Sequence, residues 1–195
     1  FGIVQDTKVC GPSQYTKEFL VHKNHGIQNV VVSIEHLKGF NKASFEDAVV
    51  TLRGCEYWPY INLVSTSGKL TFINGDPITH QVRTKALRDP PKNSLITTAL
   101  TRRDPIKKFN IRHPEILKLQ VDLRSWITGY LYVTDLPYTV VTDEEGKFVL
   151  KDVPEGRYLL KAWHEKLGHF SKRVKVKEGK ATNIKWVVGH KIVAP

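Results

Sequence analysis

The chain contains two cysteines, eight histidines and no methionine, and these set what metal or thiol chemistry it could perform. Cys10 and Cys55 are far from any Cys-x-x-Cys spacing, so they are either two free thiols or one disulfide. A bridge between them would restrict the unfolded chain by about 4 kcal/mol, less any strain. The bridge is the preferred reading, and it implies an oxidising, extracytoplasmic compartment: periplasmic, cell-surface or secreted. A start at Phe1 rather than Met is what a processed mature form would show.

The histidines show no His-Glu-x-x-His spacing, and His22 and His25 lie three apart with no helix to give that spacing meaning. His36, His113, His169 and His190 carry no ligand pattern either. His80 follows Asn74-Gly75-Asp76-Pro77 and is read as hydrogen-bonding that turn or lying on the surface, with ligation as the lesser alternative. His164, in Trp163-His164-Glu165, has Glu165 or Asp143 available to orient its second nitrogen. It is read as packing plus a strand-end hydrogen bond. Gly-x-Ser-x-Gly is absent, and the carboxylates of Asp143, Glu144 and Glu145 sit in one exposed turn rather than converging from separate strands. No catalytic residue, cofactor or enzyme activity is expected.

Thirty Lys and Arg against nineteen Asp and Glu give the 195-residue chain a formal charge of +11, with a sequence pI near 9.6. Long-range attraction then favours acidic partners, such as an acidic protein or the propionates of haem. Nucleic acid is not expected, because no recognised module or basic helix is visible. No apolar run approaches the ~18 residues of a membrane span, and a mean hydropathy of −0.31 is that of an ordinary globular chain.

The elements that would position these groups are strands. In residues 140–165, Asp143 and Gly146 make a turn, Phe148 and Leu150 alternate with polar neighbours, and Pro154 to Gly156 make a second turn. Tyr158, Leu160 and Ala162 then line one face of the next strand. Further strands are expected at 26–37, 49–52, 60–64, 69–73, 81–83, 116–123, 129–134, 170–176 and 181–188. Residues 1–26 read as an arm tethered by Cys10, and 38–48 as polar and turn-like. Residues 84–115, with Asp89-Pro90-Pro91 and Asp104-Pro105, read as an irregular docking segment. Many short strands between Gly and Pro turns predict an all-β Greek-key sandwich.

Leu131-Tyr132-Val133-Thr134-Asp135-Leu136-Pro137-Tyr138, then Val141-Thr142-Asp143, Gly146, Phe148, Val153-Pro154, Gly156, Tyr158 and Trp163-His164-Glu165, carry a family likeness. Cys10-Gly11, Val30-Val31-Val32, Cys55 with Tyr57 and Pro59, and Asn74-Gly75-Asp76-Pro77 with His80 extend it upstream. The sequence resembles secreted bacterial proteins that combine a cupredoxin-like region with a carboxypeptidase-regulatory-like, or transthyretin-like, sandwich, known as methylamine-utilisation or plastocyanin-like proteins. The resemblance implies a cupredoxin-like region at 27–134 and a regulatory-like region at 135–195, separate or joined as one composite domain. It also implies copper ligands that this chain lacks. Val121 stands where a Cys would be, Arg124 where a His would be and Ile127 where a Met would be, and Tyr60 replaces a His common after Pro59. A blue-copper site needs a thiolate and two imidazoles, usually with an axial thioether. Only His80 is left of that set.

As strand aromatics Trp58, Tyr60 and Trp126 are expected mostly in the core; because they cluster around this former copper region in sequence, they form, with Arg124, the alternative: a candidate partner patch. The expected function is a non-catalytic extracytoplasmic docking or structural subunit of a hetero-complex, with an electron-transfer assembly of multihaem cytochromes as the partner class the resemblance implies. The alternatives are a copper or zinc protein using His80 and other histidines, and a carbohydrate-binding or surface adhesin using the aromatic patch.

Overall fold

The computed structural model describes residues 2, 6–15, 17–35 and 45–187. His36, His190, residues 38–44 and the end of the expected 181–188 strand lie outside them. Thirteen strands are found among the described residues, and the one helix is α1 (Thr7–Cys10), a single turn. The chain is therefore an all-β sandwich protein, as its turn spacing and alternation predict.

The first sheet is built from β2 (Ala48–Leu52), β3 (Tyr57–Trp58), β5 (Lys69–Asn74) and β8 (Ile106–Asn110), in the order β3-β2-β5-β8. The second has β4 (Ile61–Val64), β6 (His80–Ala86), β7 (Thr97–Leu100), β9 (Glu115–Val121) and β10 (Thr128–Val133), in the order β4-β10-β9-β6-β7. β9 shows why such residues form a strand: burial alternates strictly along it, with Leu117, Leu119 and Val121 turned inward. Those residues meet Val50, Leu52, Leu70 and Phe72 of the first sheet in the largest core.

The third sheet contains β1 (Val31–Glu35), β11 (Thr139–Val141), β12 (Gly156–His164) and β13 (Gly168–Val176), in the order β11-β1-β12-β13. Its own core joins Val32, Ile34, Leu160 and Ala162 to Phe148, Leu150, Val153, Ile184 and Trp186. The second sheet is a wall shared by both neighbours. Leu131 and Val133 of β10 face the first sheet, whereas Tyr130 and Tyr132 on the opposite face meet Val31 and Trp163 of the third.

Four expectations change. Val31 pairs with both Val141 and Trp163, so β1 belongs with the C-terminal sheet rather than with residues 27–134. Residues 84–115 are not an irregular docking segment. They hold β7 and β8 and the end of β6, and the Glu115 carboxylate accepts from the backbone N–H groups of Lys92 (2.9 Å) and Asn93 (3.0 Å), which fastens the intervening loop. Residues 147–150 form no ladder, although Phe148 and Leu150 pack on the core. Residues 181–187 are also unladdered but run back along β13: Lys180 bridges Lys177, Thr182 Oγ1 donates to the Lys175 carbonyl (3.3 Å), and Lys172 Nζ donates to the Lys185 carbonyl (3.3 Å).

Candidate functional site

The turn Asn74-Gly75-Asp76-Pro77 closes β5 and directs a carboxylate inward. Asn74 Oδ1 accepts from the Asp76 N–H (3.0 Å), while its amide donates to the carbonyls of Ile78 (2.8 Å) and Leu100 (2.9 Å). Asp76 Oδ1 then accepts from the Gly54 N–H (2.6 Å), and Oδ2 accepts from the Cys55 N–H (3.0 Å). Gly54 and Cys55 both lie at φ 61°, and for Cys55 that left-handed conformation is costly without such support. His80, at the start of β6, places Nε2 2.9 Å from Asp76 Oδ2.

Burial would push the Asp76 carboxyl up, but hydrogen bonds from His80, Cys55 and Gly54 outweigh it and hold the group below its ordinary 3.8. His80 is fully buried, and its Nδ1 has no hydrogen-bond partner among the described residues. Cys55 is bonded to Cys10, so the expected disulfide is present and anchors the N-terminal arm. Sulfur, carboxylate oxygen and ring nitrogen of Cys55, Asp76 and His80 lie within 4.8 Å of one another. Sequence reading placed His80 beside the Asn74 turn but missed Asp76 as its partner. The four-residue spacing within one turn was the available signal.

The positions that the resemblance assigns to copper do not fit copper. Val121 is buried and paired with Val82, and Ile127 is buried in the core. Arg124 bonds the Asp6 carboxylate through Nε (3.1 Å) and Nη2 and donates to the Thr79 carbonyl (3.3 Å). It therefore brings a committed positive charge to the place of an imidazole. Cys55 is oxidised and Arg124 stands at the place of the second imidazole, so His80, bonded to Asp76, is what remains of that set among the described residues.

The candidate patch is not one surface. Trp58 is 54% exposed, but Lys17 Nζ sits 3.8 Å from its ring centroid while bonding Glu56 (2.6 Å). Trp126 packs against the main core. A cleft of about 310 Å³ lies between the arm and this loop, lined by Gln14, Lys17, Glu56, Lys118 and Trp126 among others. Tyr60 is buried at the seam between sheets, because its hydroxyl donates to Glu165 Oε1 (2.5 Å) and its ring meets Tyr130 edge-on. Burial raises Glu165, opposed by hydrogen bonds from Tyr130 and Tyr60. His164 is buried, accepts at Nδ1 from the Lys166 N–H (3.2 Å), and is lowered by burial. Trp163-His164-Glu165 thus closes a seam and holds no metal geometry.

The locally dense basic stretch Lys172 to Lys177 falls on and just after β13, where it forms a surface with β12. Arg157 is directly opposite Lys175, Leu159 opposite Arg173, and Lys161 opposite Ser171, so one face carries Arg157, Arg173 and Lys175 together. Lys177 continues the same alternation. All four are exposed, and none forms an ion pair with a described residue; Glu35 on β1, which pairs with Leu159 on that face, is bonded to Lys161. Like charges directly opposite on a sheet are destabilising. The signal was present as alternate cations at 173, 175 and 177, but their partner strand was needed to give it meaning.

Residues 120–192, less than half of the chain, match the model of the ER membrane protein complex subunit 7 beta-sandwich domain. No curated protein matches the sequence. Among solved structures, plastocyanin from Dryopteris crassirhizoma is similar over 45% of this chain and 100% of its own, at 16% identity and a TM-score of 0.40. An oxidised amicyanin variant is similar over 53% of this chain and 98% of its own, at 12% identity and 0.39. The Cu-containing nitrite reductase of Thermus scotoductus is similar over 45% of this chain, at 13% identity and 0.39, but this chain covers only 22% of that one. No helix among the described residues is long and apolar enough to cross a membrane.

Proposed function

We propose that this chain is a non-catalytic, extracytoplasmic subunit that docks an acidic protein partner through the outer face of β12 and β13. The observation that carries the reading is the unpaired cationic face of Arg157, Arg173 and Lys175, which repels itself in the isolated chain and is relieved by an opposing acidic surface. The family match supports subunit membership, because it is to a subunit of a membrane protein complex and its residues 120–192 include this face. The disulfide supports an oxidising compartment. The chain holds no set of copper ligands among the described residues, so its part in an electron-transfer assembly would be to position a carrier, such as a multihaem cytochrome with exposed propionates.

The test is co-purification from the native host under mild low-salt conditions, comparing wild type with an Arg173→Glu/Lys175→Glu double variant. A stoichiometric acidic partner is expected with wild type, released by salt and lost from the variant. A partner retained equally by the variant, or a wild-type chain that travels alone, would overturn the proposal.

A further inference from the structure

Cys55, Asp76 and His80 are buried together, and Cys10 adds a second sulfur already bonded to the first. The donors of Cys55, Asp76 and His80 lie within 4.8 Å of one another, so a shift of about an ångström brings them to the ~3.3–3.8 Å spacing of ligands around a tetrahedral ion with bonds of about 2.0–2.3 Å, and Cys10, outside that group, joins them once its bond to Cys55 is cut. The Asp76 carboxylate is already fixed by two backbone N–H groups, as metal-binding carboxylates are fixed by outer partners. His80 has one ring nitrogen on Asp76 and the other without a partner among the described residues, although the side chain is wholly buried.

We propose that reduction of the Cys10–Cys55 bond converts this cluster into a zinc site with Cys10, Cys55, Asp76 and His80 as ligands. A dithiol reductant supplies two electrons and two protons, so the S–S bond breaks to give two thiols while the reductant closes to its own disulfide. Zn²⁺ then displaces one proton from each thiol and takes the carboxylate oxygen and one neutral imidazole nitrogen. Two thiolates, an imidazole and a carboxylate form a zinc set rather than the copper set suggested by the resemblance. The same residues thereby tether the arm in either redox state: a covalent bond where thiols are oxidised, and an ion where they are kept reduced. Docking on β12 and β13 does not depend on this switch.

The experiment uses the full chain, reduced with a phosphine, desalted anaerobically and titrated with Co²⁺ followed by Zn²⁺. One equivalent of Co²⁺ should give tetrahedral visible bands with a thiolate charge-transfer band, and Zn²⁺ should bleach them. The oxidised chain should take up none. His80→Gln and Asp76→Asn should each weaken binding by at least about tenfold, the scale on which ligand-shell changes act. Circular dichroism of the reduced chain should show added Zn²⁺ raising its melting temperature. Absence of tetrahedral Co²⁺, equal binding by both variants, equal binding by the oxidised chain, or a reduced chain that zinc fails to stabilise would each overturn the proposal.

Discussion

Replacing Asp76 by Asn keeps the size of the side chain and removes its charge. In wild type the carboxylate accepts three hydrogen bonds, from Gly54 (2.6 Å), Cys55 (3.0 Å) and His80 (2.9 Å). An amide can offer oxygen to only one side, so its NH2 would face a buried donor on the other. Hydrogen bonds to a charged group contribute about 1.5–3 kcal/mol each. Breaking a buried charged network by removing one partner costs about 3–5 kcal/mol. For a chain of this size about 4 kcal/mol corresponds to a fall of roughly 8–16 °C in Tm. The loss also has a pH signature. The folded Asp76 titrates below its ordinary 3.8, so its contribution is fully present above that value and disappears as pH falls through the folded one. Glu115 is likewise lowered by its hydrogen bonds against the upward push of burial, but it is unchanged in the variant and cancels in the comparison. The assay is urea unfolding of the disulfide-intact wild type and Asp76→Asn at neutral pH and in a series down to about pH 2. If the variant lies within about 1 kcal/mol of wild type at neutral pH, or the gap fails to narrow in acid, the carboxylate is not what holds the Gly54–Cys55 turn.

The other expectations can be checked on the same preparations. Lys175→Glu places a carboxylate opposite Arg157; it should raise stability by about 0.2–1 kcal/mol at low salt while abolishing the acidic partner's salt-sensitive binding, and a destabilised variant would refute the like-charge reading. Glu165→Gln tests the seam. Because burial raises Glu165 above its ordinary 4.5, its stabilising contribution is complete below that value and is lost as pH rises through the folded one. The variant should therefore gain on wild type as pH rises from about 4 to 7, and a constant difference would disprove the shift. Gly68→Ala would set a Cβ 1.6 Å from the Glu46 carbonyl oxygen, a backbone atom, so thermal melts should show a loss of at least about 2 kcal/mol.

What was legible in the sequence was local. Asp143 Oδ1 does accept from the N–H groups of Glu145 (3.0 Å) and Lys147 (2.8 Å), and Gly146 does adopt φ 74°, so this turn follows from residues within five positions of one another. The alternation of Tyr158, Leu160 and Ala162 likewise needs no distant knowledge. The placement of β1 was not legible, because its pairing partners Val140 and Ala162 lie more than a hundred residues along the chain and nothing in Val30 to Ile34 specifies which sheet buries them. β7 and β8 were missed because their burial contrast is weak: Ile106 is 50% exposed and Phe109 is only partly covered. Tyr60 is open in the sequence between core and partner patch, because the carboxylate that draws its hydroxyl into the seam is contributed by Glu165, more than a hundred residues along the chain.

The loop after β9 and the turn before β6 are the two segments that the resemblance would join through copper, and they are joined here by other means. Arg124 crosses from the loop to the Thr79 carbonyl and to Asp6 on the arm, while Asp76 ties His80 to the backbone of Cys55, which is bonded to Cys10 on the same arm. The Arg124 charge is already paired with Asp6, so an ion pair ties this loop to the arm. The connections are therefore mutually supporting, because the loop and the turn are both fastened to the same arm, one through Asp6 and the other through Cys10. None of these bracing residues belongs to β12 or β13, so the cations of that face can be substituted while the brace stays intact.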